Sequence, residues 1–122
     1  MKYYVETHEW IEVVDGIATV GISKYAAEEL GDLTYVEMPA LGETFAAGDV
    51  IGTVESVKAA SDIFAPIGGT VSEVNDALAD DPALLNQAPE GDGWICRLKD
   101  VKEEELKKLL TVEQYLKSIN AE

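Results

Sequence analysis

Val54-Glu55-Ser56-Val57-Lys58-Ala59-Ala60-Ser61-Asp62-Ile63-Phe64 reads as a β-hairpin with a lysine at its tip. To its left, Asp49-Val50-Ile51-Gly52-Thr53-Val54-Glu55 is rich in β-branched residues, which pack well on a pleated surface. To its right, Ser61 to Ala65 leads into Pro66, which has no N–H for a ladder and ends the strand. The small Ala59, Ala60 and Ser61 are read as the crossing. A lysine placed there has no bulky neighbour on its C-terminal side, so an enzyme could reach its amine and an attached group could swing. A single lysine in a turn is ordinarily only solvated, so the hairpin alone carries no function; the rest of the chain decides what Lys58 is for.

Upstream, strands are broken by one short helix. Trp10 to Val14 and Ile17 to Ile22 flank Asp15-Gly16, a favoured two-residue hairpin turn. Ser23 is placed to cap a helix over Tyr25 to Leu30, with Gly31 as its stop. Leu33 to Glu37 returns to strand, Pro39-Ala40-Leu41-Gly42 turns the chain, and Thr44-Phe45 precedes the lysine hairpin. Downstream, Gly68-Gly69 introduces the alternating strand Thr70 to Val74. Asp76 to Pro89 is loop with one helical turn begun by Asp80-Asp81-Pro82, and Trp94 to Leu98 is a last strand. Many short strands with glycine-marked turns predict a mainly β fold, a compact sandwich or barrel.

Residues 100–119 differ in composition. Asp100 with Glu103, and Thr111 with Gln114, are each spaced as a capping box, predicting two short helices joined near Thr111. Val101, Leu106, Leu109 and Leu110 mark one apolar side, and Val112, Tyr115, Leu116 and Ile119 the other. Packing of both helices on the sandwich accounts for these faces more simply than partner docking. The expected organisation is one domain over residues 1–122, with a β core over 1–99 and the helices over 100–119.

The chain has 122 residues, 24 acidic against 9 Lys and Arg, and a formal charge of −15. That charge makes nucleic acid and anionic membrane poor partners and suits a soluble shuttle that meets basic patches on several enzymes. Cys96 is the only cysteine, so no internal disulfide forms, and its apolar neighbours predict a buried strand thiol. Met1 to Glu6 lacks a signal or transit pattern and no apolar run reaches membrane-spanning length, so a cytoplasmic protein is expected. With one histidine, no His/Cys cluster for a metal and no phosphate-binding glycine loop, the chain reads as a substrate of enzymes rather than as an enzyme. His8, between Thr7 and Glu9, reads as structural or as part of a binding surface.

Glu55-Ser56-Val57-Lys58-Ala59 with Ser61-Asp62, followed by Ala65-Pro66-Ile67-Gly68-Gly69-Thr70-Val71, resembles the lipoyl-lysine segment of the glycine cleavage system H proteins. The resemblance extends through Thr7-His8-Glu9-Trp10-Ile11, Ala18 to Ile22, Leu30-Gly31-Asp32, Val74-Asn75, Asn86, Pro89 and Gly93-Trp94, in the family's order and spacing, over roughly residues 3–118. It implies the lipoyl-domain architecture, a flattened barrel-sandwich hybrid with the lysine hairpin at one end.

The resemblance also implies a function. Lys58 would carry lipoic acid in amide linkage, an arm of about ten bonds with a reach of ~13 Å. The arm would take the aminomethyl group of glycine from the P protein to the T protein and be reoxidised by the L protein, after attachment by a lipoate ligase or octanoyl transferase. Thr7, Glu9 and Asp62 match the positions where the family places polar contacts to the arm's amine, and a monomer is implied. Two positions depart from the family: Glu90 follows Pro89 where an aromatic is usual, and Gly68 replaces a usual serine. The runner-up is an H-like relay that passes lipoyl or octanoyl groups to other proteins, which would need the same lysine. A 2-oxoacid dehydrogenase lipoyl domain would carry Asp-Lys-Ala at the tip, against which Val57 and the short helical end argue, and a biotinyl carrier would flank its lysine with methionines, which are absent.

Overall fold

The computed structural model describes residues 2–120. Its first half follows the turn chemistry of the sequence. β1 (Lys2–Tyr4) pairs with β2 (Glu9–Val14), which turns at Asp15-Gly16 into β3 (Ile17–Ile22) with Val14 opposite Ile17. Asp15 and Gly16 both adopt positive φ, as a primed turn requires. The Ser23 side chain accepts the Ala26 N–H and starts α1 (Lys24–Leu30), while Gly31, at φ 79°, ends it by donating its N–H to the Ala27 carbonyl.

β4 (Leu33–Glu37) lies beside β6 (Val50–Ser56), and β6 beside β7 (Ala60–Phe64), forming a three-stranded sheet. The larger sheet runs β10-β1-β2-β3-β9-β8-β5, with β5 (Thr44–Phe45), β8 (Gly69–Val74), β9 (Cys96–Lys99) and β10 (Leu110–Thr111). The two sheets form a sandwich and neither closes into a barrel. Their inward residues make one core: Ile11, Val20, Val71 and Leu98 from the larger sheet meet Val54 and Ile63 from the smaller, all essentially inaccessible to solvent. Leu78 of α2 (Ala77–Asp80) and Leu85 of α3 (Leu84–Gln87) join the same core. At about 25 cal/mol per Å² of buried apolar surface, this shared core holds the lysine hairpin to the rest of the protein.

Several local expectations are corrected. The crossing of the hairpin lies at Val57-Lys58-Ala59, because Ala60 and Ser61 still pair with Glu55 and Val54. Asp76 to Pro89 holds two helical turns rather than one. The second is entered from Ala83, with no side-chain cap from Asp80 or Asp81. The last core strand starts at Cys96, two residues later than expected.

In the tail the Thr111/Gln114 box forms reciprocally, at 3.0 and 3.2 Å. The Asp100/Glu103 box does not: Asp100 sits at φ 52°, and residues Glu103–Lys108 form a 3₁₀ helix flanked by Lys102. Glu105 instead accepts the Gly68 N–H at 2.8 Å, anchoring the tail to the core. Between the two helices Leu110 and Thr111 pair with Tyr4 and Tyr3, adding a strand to the sheet. Of the apolar face on α4 (Val112–Asn120), Tyr115 is buried and Ile119 partly so, whereas Val112 and Leu116 are exposed. Tyr115 and Ile119 lie about 40° apart around the helix and Leu116 about 100° from Tyr115, so a single narrow line of contact cannot cover all four.

Candidate functional site

Lys58 is exposed at the hairpin tip, and among the described residues its ammonium has no ion-pair partner. Ser56 builds the turn. Its hydroxyl oxygen accepts the N–H groups of Lys58 and Ala59, each at 3.1 Å, while its own N–H donates to the Ala59 carbonyl at 2.8 Å. The tip is also tied to the bend between α1 and β4, where the Asp32 carbonyl accepts the Val57 N–H at 3.2 Å. The stem of Lys58 lies over Gly31, so close that a Cβ on Gly31 would stand 3.3 Å from Cε. Beside the lysine, Val57 is 70% exposed.

Thr7 and Glu9 come together, as their spacing across the β1–β2 connection allows. The Thr7 hydroxyl donates to one carboxylate oxygen of Glu9, and the other accepts the backbone N–H of Phe64, on the second strand of the lysine hairpin, at 3.3 Å. Glu9 is 1% exposed, not the solvated strand end its place in the sequence would suggest. Desolvation pushes its carboxyl up to about 7, although the Thr7 and Phe64 hydrogen bonds oppose the shift. Asp62 is exposed on β7, opposite Thr53 and two residues before Phe64; it makes no hydrogen bond to Thr7 or Glu9. The structure thus joins Thr7 and Glu9 to the hairpin's base and leaves Asp62 open on its flank. A cleft of about 330 Å³ between Tyr4–Thr7 and Lys108–Leu110 opens beside Thr7.

Other residues hold this arrangement, among them His8, which the sequence offered as structural or as part of a binding surface. His8, between Thr7 and Glu9, adopts φ 75°, and its Nδ1 lies 2.7 Å from the Tyr115 hydroxyl. That hydroxyl is also 2.7 Å from the oxygen of Ser23, the cap of α1. Tyr115 in turn stacks on Tyr4 with 4.3 Å between ring centroids. Asn86 bridges the Gly31–Leu33 bend through both ends of its amide. Ser56, two residues before the tip lysine, and His8, between Thr7 and Glu9, had local signals; Tyr115 and Asn86 lie far in sequence from what they hold.

The two unusual positions have structural roles. Glu90 accepts the Tyr4 hydroxyl, the Lys24 backbone N–H at 2.9 Å and the Lys2 ammonium at 3.4 Å, joining β1 to the start of α1. At Gly68 a side chain would press on the Phe45 carbonyl at 3.2 Å and on the Glu105 and Lys102 side chains. Cys96 is fully buried and its thiol is pushed up to about 12 by desolvation, which keeps it inert. Among the described residues no group of His, Cys, Asp and Glu could hold a metal ion, and no helix is long and apolar enough to cross a membrane.

Comparison with known proteins agrees across the chain. The family model described as Glycine cleavage H-protein matches residues 2–122. A glycine cleavage system H protein of Alcanivorax borkumensis is 50% identical over 119 residues, covering 98% of this chain and 93% of its own. One from Dinoroseobacter shibae is 54% identical over 113 residues, covering 93% of each. The crystal structure of a glycine cleavage system H protein from Mycobacterium marinum aligns with a TM-score of 0.89 at 39% identity, over 98% of this chain and 96% of that one.

Proposed function

The chain belongs to the glycine cleavage H-protein family, the lipoyl carriers of the glycine cleavage system, and from that premise we propose that Lys58 is its single attachment site for lipoic acid. The observation that carries this reading is an unpaired, exposed lysine on a turn stiffened by Ser56 and set against Asp32. An ammonium so placed is open to an acylating enzyme, a lipoate ligase or octanoyl transferase, and an amide formed there would project into solvent.

The lipoyl group, once attached, would supply a dithiolane that carries an aminomethyl group from the P protein to the T protein and is reoxidised by the L protein. This chain contributes no catalytic group in that reading; it presents, positions and shelters. Glu9 is the residue fitted to hold the cargo. Its carboxyl, close to half ionised near neutral pH while unpartnered by a cation, becomes a firm anion when the cargo's ammonium approaches, because an opposite charge favours the ionised form. Thr7 fixes the direction of that carboxyl and Asp62 adds negative charge along the path from the tip. Water exclusion around Glu9 would also protect a hydrolysable cargo. A monomer working in the cytoplasm suits a shuttle of −15 charge that must meet several enzymes in turn.

Incubation of the protein with lipoate ligase, lipoate and ATP, followed by peptide mapping, tests the assignment. Lys58 should be the only residue modified. Lys58→Arg should keep the fold yet abolish glycine-dependent carbon dioxide exchange with the P protein, since a guanidinium does not take the lysine's place in acylation. Modification at Lys24 or Lys99, or near-parental exchange by Lys58→Arg, overturns the reading.

A further inference from the structure

We infer that Asn86 is a positioning residue for the acyl-acceptor lysine: its side-chain amide clamps the bend that the hairpin tip rests on. The inference deepens the proposed function and rests on Lys58 being the attachment site.

Asn86 lies on α3, 28 residues beyond Lys58, and its side chain is exposed. Its Nδ2 donates to the Gly31 carbonyl at 2.8 Å and its Oδ1 accepts the Leu33 N–H at 2.9 Å. Both backbone groups need a partner from outside their own elements. Gly31 ends α1, where the last carbonyls have no intrahelical donor, and Leu33 opens β4 where its pairing with β6 shifts register. One planar amide therefore pins both sides of Asp32.

The carbonyl between those two anchors is the one that takes the Val57 N–H, next to Lys58. The residue on its other side, Gly31, lies beneath the lysine stem. The Gly31–Leu33 bend thus sets both the height of the tip and the direction in which Lys58 leaves it. Leu85, fully buried, seats α3 independently of its neighbour's amide. Removing the Asn86 side chain should therefore free the bend without unseating the helix, leaving the lysine attached to a tip that samples more orientations. An acylating enzyme must bind one of them, so the effect belongs in KM more than in kcat.

Apo-protein, lipoate ligase and lipoate provide the test, with kinetics measured for the parent, Asn86→Ala, Asn86→Asp and Val71→Ala. Asn86→Ala should raise KM for the protein several-fold with kcat nearly unchanged. It should also speed exchange of the Val57 amide by about tenfold, the factor for losing roughly one net hydrogen bond. Asn86→Asp, which keeps the acceptor for Leu33 but sets a carboxylate oxygen against the Gly31 carbonyl, should raise KM at least as much as Asn86→Ala. Val71→Ala removes core volume on a strand of the larger sheet that does not pair with the hairpin, and should lower Tm at least as much while leaving KM parental. Parental KM and Val57 exchange in Asn86→Ala overturn the inference, as does an equal rise of KM in Val71→Ala, which would mark general softening. If the parent is acylated at another lysine, the attachment reading falls and this inference with it; if the parent is acylated at Lys58 and Asn86→Ala is normal, only this inference falls.

Discussion

Glu9 accepts the Phe64 backbone N–H across the sandwich, so a buried carboxyl on the larger sheet is bonded to the strand that descends from Lys58 on the smaller one. The same group is therefore a structural joint between the sheets and a potential anion near the lysine hairpin. The two roles pull in opposite directions, because desolvation in the fold favours the protonated carboxyl whereas the anchor works ionised.

That conflict fixes a pH dependence. The carboxyl is raised to about 7 in the folded protein, above the unfolded value near 4.3, so the folded state binds the extra proton. The stabilising contribution is full below the unfolded value and is lost as pH rises through about 7. Glu9→Gln should therefore gain on the order of 2–3 kcal/mol relative to the parent between pH 4 and pH 8. Urea unfolding of both proteins at the two pH values measures the difference, and a pH-independent difference would refute the proposed protonation.

Cargo retention should respond to the same substitution in the other sense. A charge-assisted hydrogen bond to a partly buried amine contributes roughly 1.5–3 kcal/mol, about tenfold or more in an equilibrium between held and released arm. Glu9→Gln should leave lipoylation and reoxidation nearly unchanged while the aminomethyl-loaded protein releases ammonia and formaldehyde several times faster at pH 8. Release at the parental rate would show that Glu9 is not the anchor.

Tyr115→Phe should cost about 1–2 kcal/mol, because one hydroxyl serves both His8 and the Ser23 cap of α1 while the stack on Tyr4 survives. The loss should appear as a Tm lower by several degrees, with increased exchange at the amides of α1. A Tm within one degree of the parent would mean that water replaces the hydroxyl without loss.

Two glycines at the start of the hairpin should answer to alanine with costs of different size. At Gly52 a Cβ would stand 2.3 Å from the Glu37 carbonyl oxygen, so Gly52→Ala must push β4 off β6 at about 2–4 kcal/mol. At Gly48 a Cβ meets nothing, and only the φ of 89° resists, for about 1 kcal/mol. Denaturant midpoints of the two variants rank them; equal midpoints would show that the β4–β6 pairing yields at no more cost than the Gly48 turn.

What could be read from the chain by itself was chemistry confined to a few neighbouring residues. Asp15-Gly16 turned a hairpin, Ser23 and Gly31 bounded a helix, Thr111 and Gln114 made their reciprocal box, and Lys58 stood at a hairpin tip. In each case both halves of the interaction lie within about four residues, so propensity and spacing settle the outcome. Tertiary structure decided the rest. Asp100 and Glu103 had the same spacing as Thr111 and Gln114, yet their box gave way to a 3₁₀ turn whose Glu105 reaches Gly68, 37 residues away. Val112 and Leu116 share the apolar pattern of Tyr115, but only Tyr115 finds Tyr4, His8 and Ser23 to pack against. The burial of Glu9 under Phe64 and the clamp of Asn86 on Gly31 and Leu33 join positions 53 to 55 residues apart. Whether a polar group is solvated, satisfied or shifted in pKa depends on which distant backbone folding brings against it, and no local pattern carries that information.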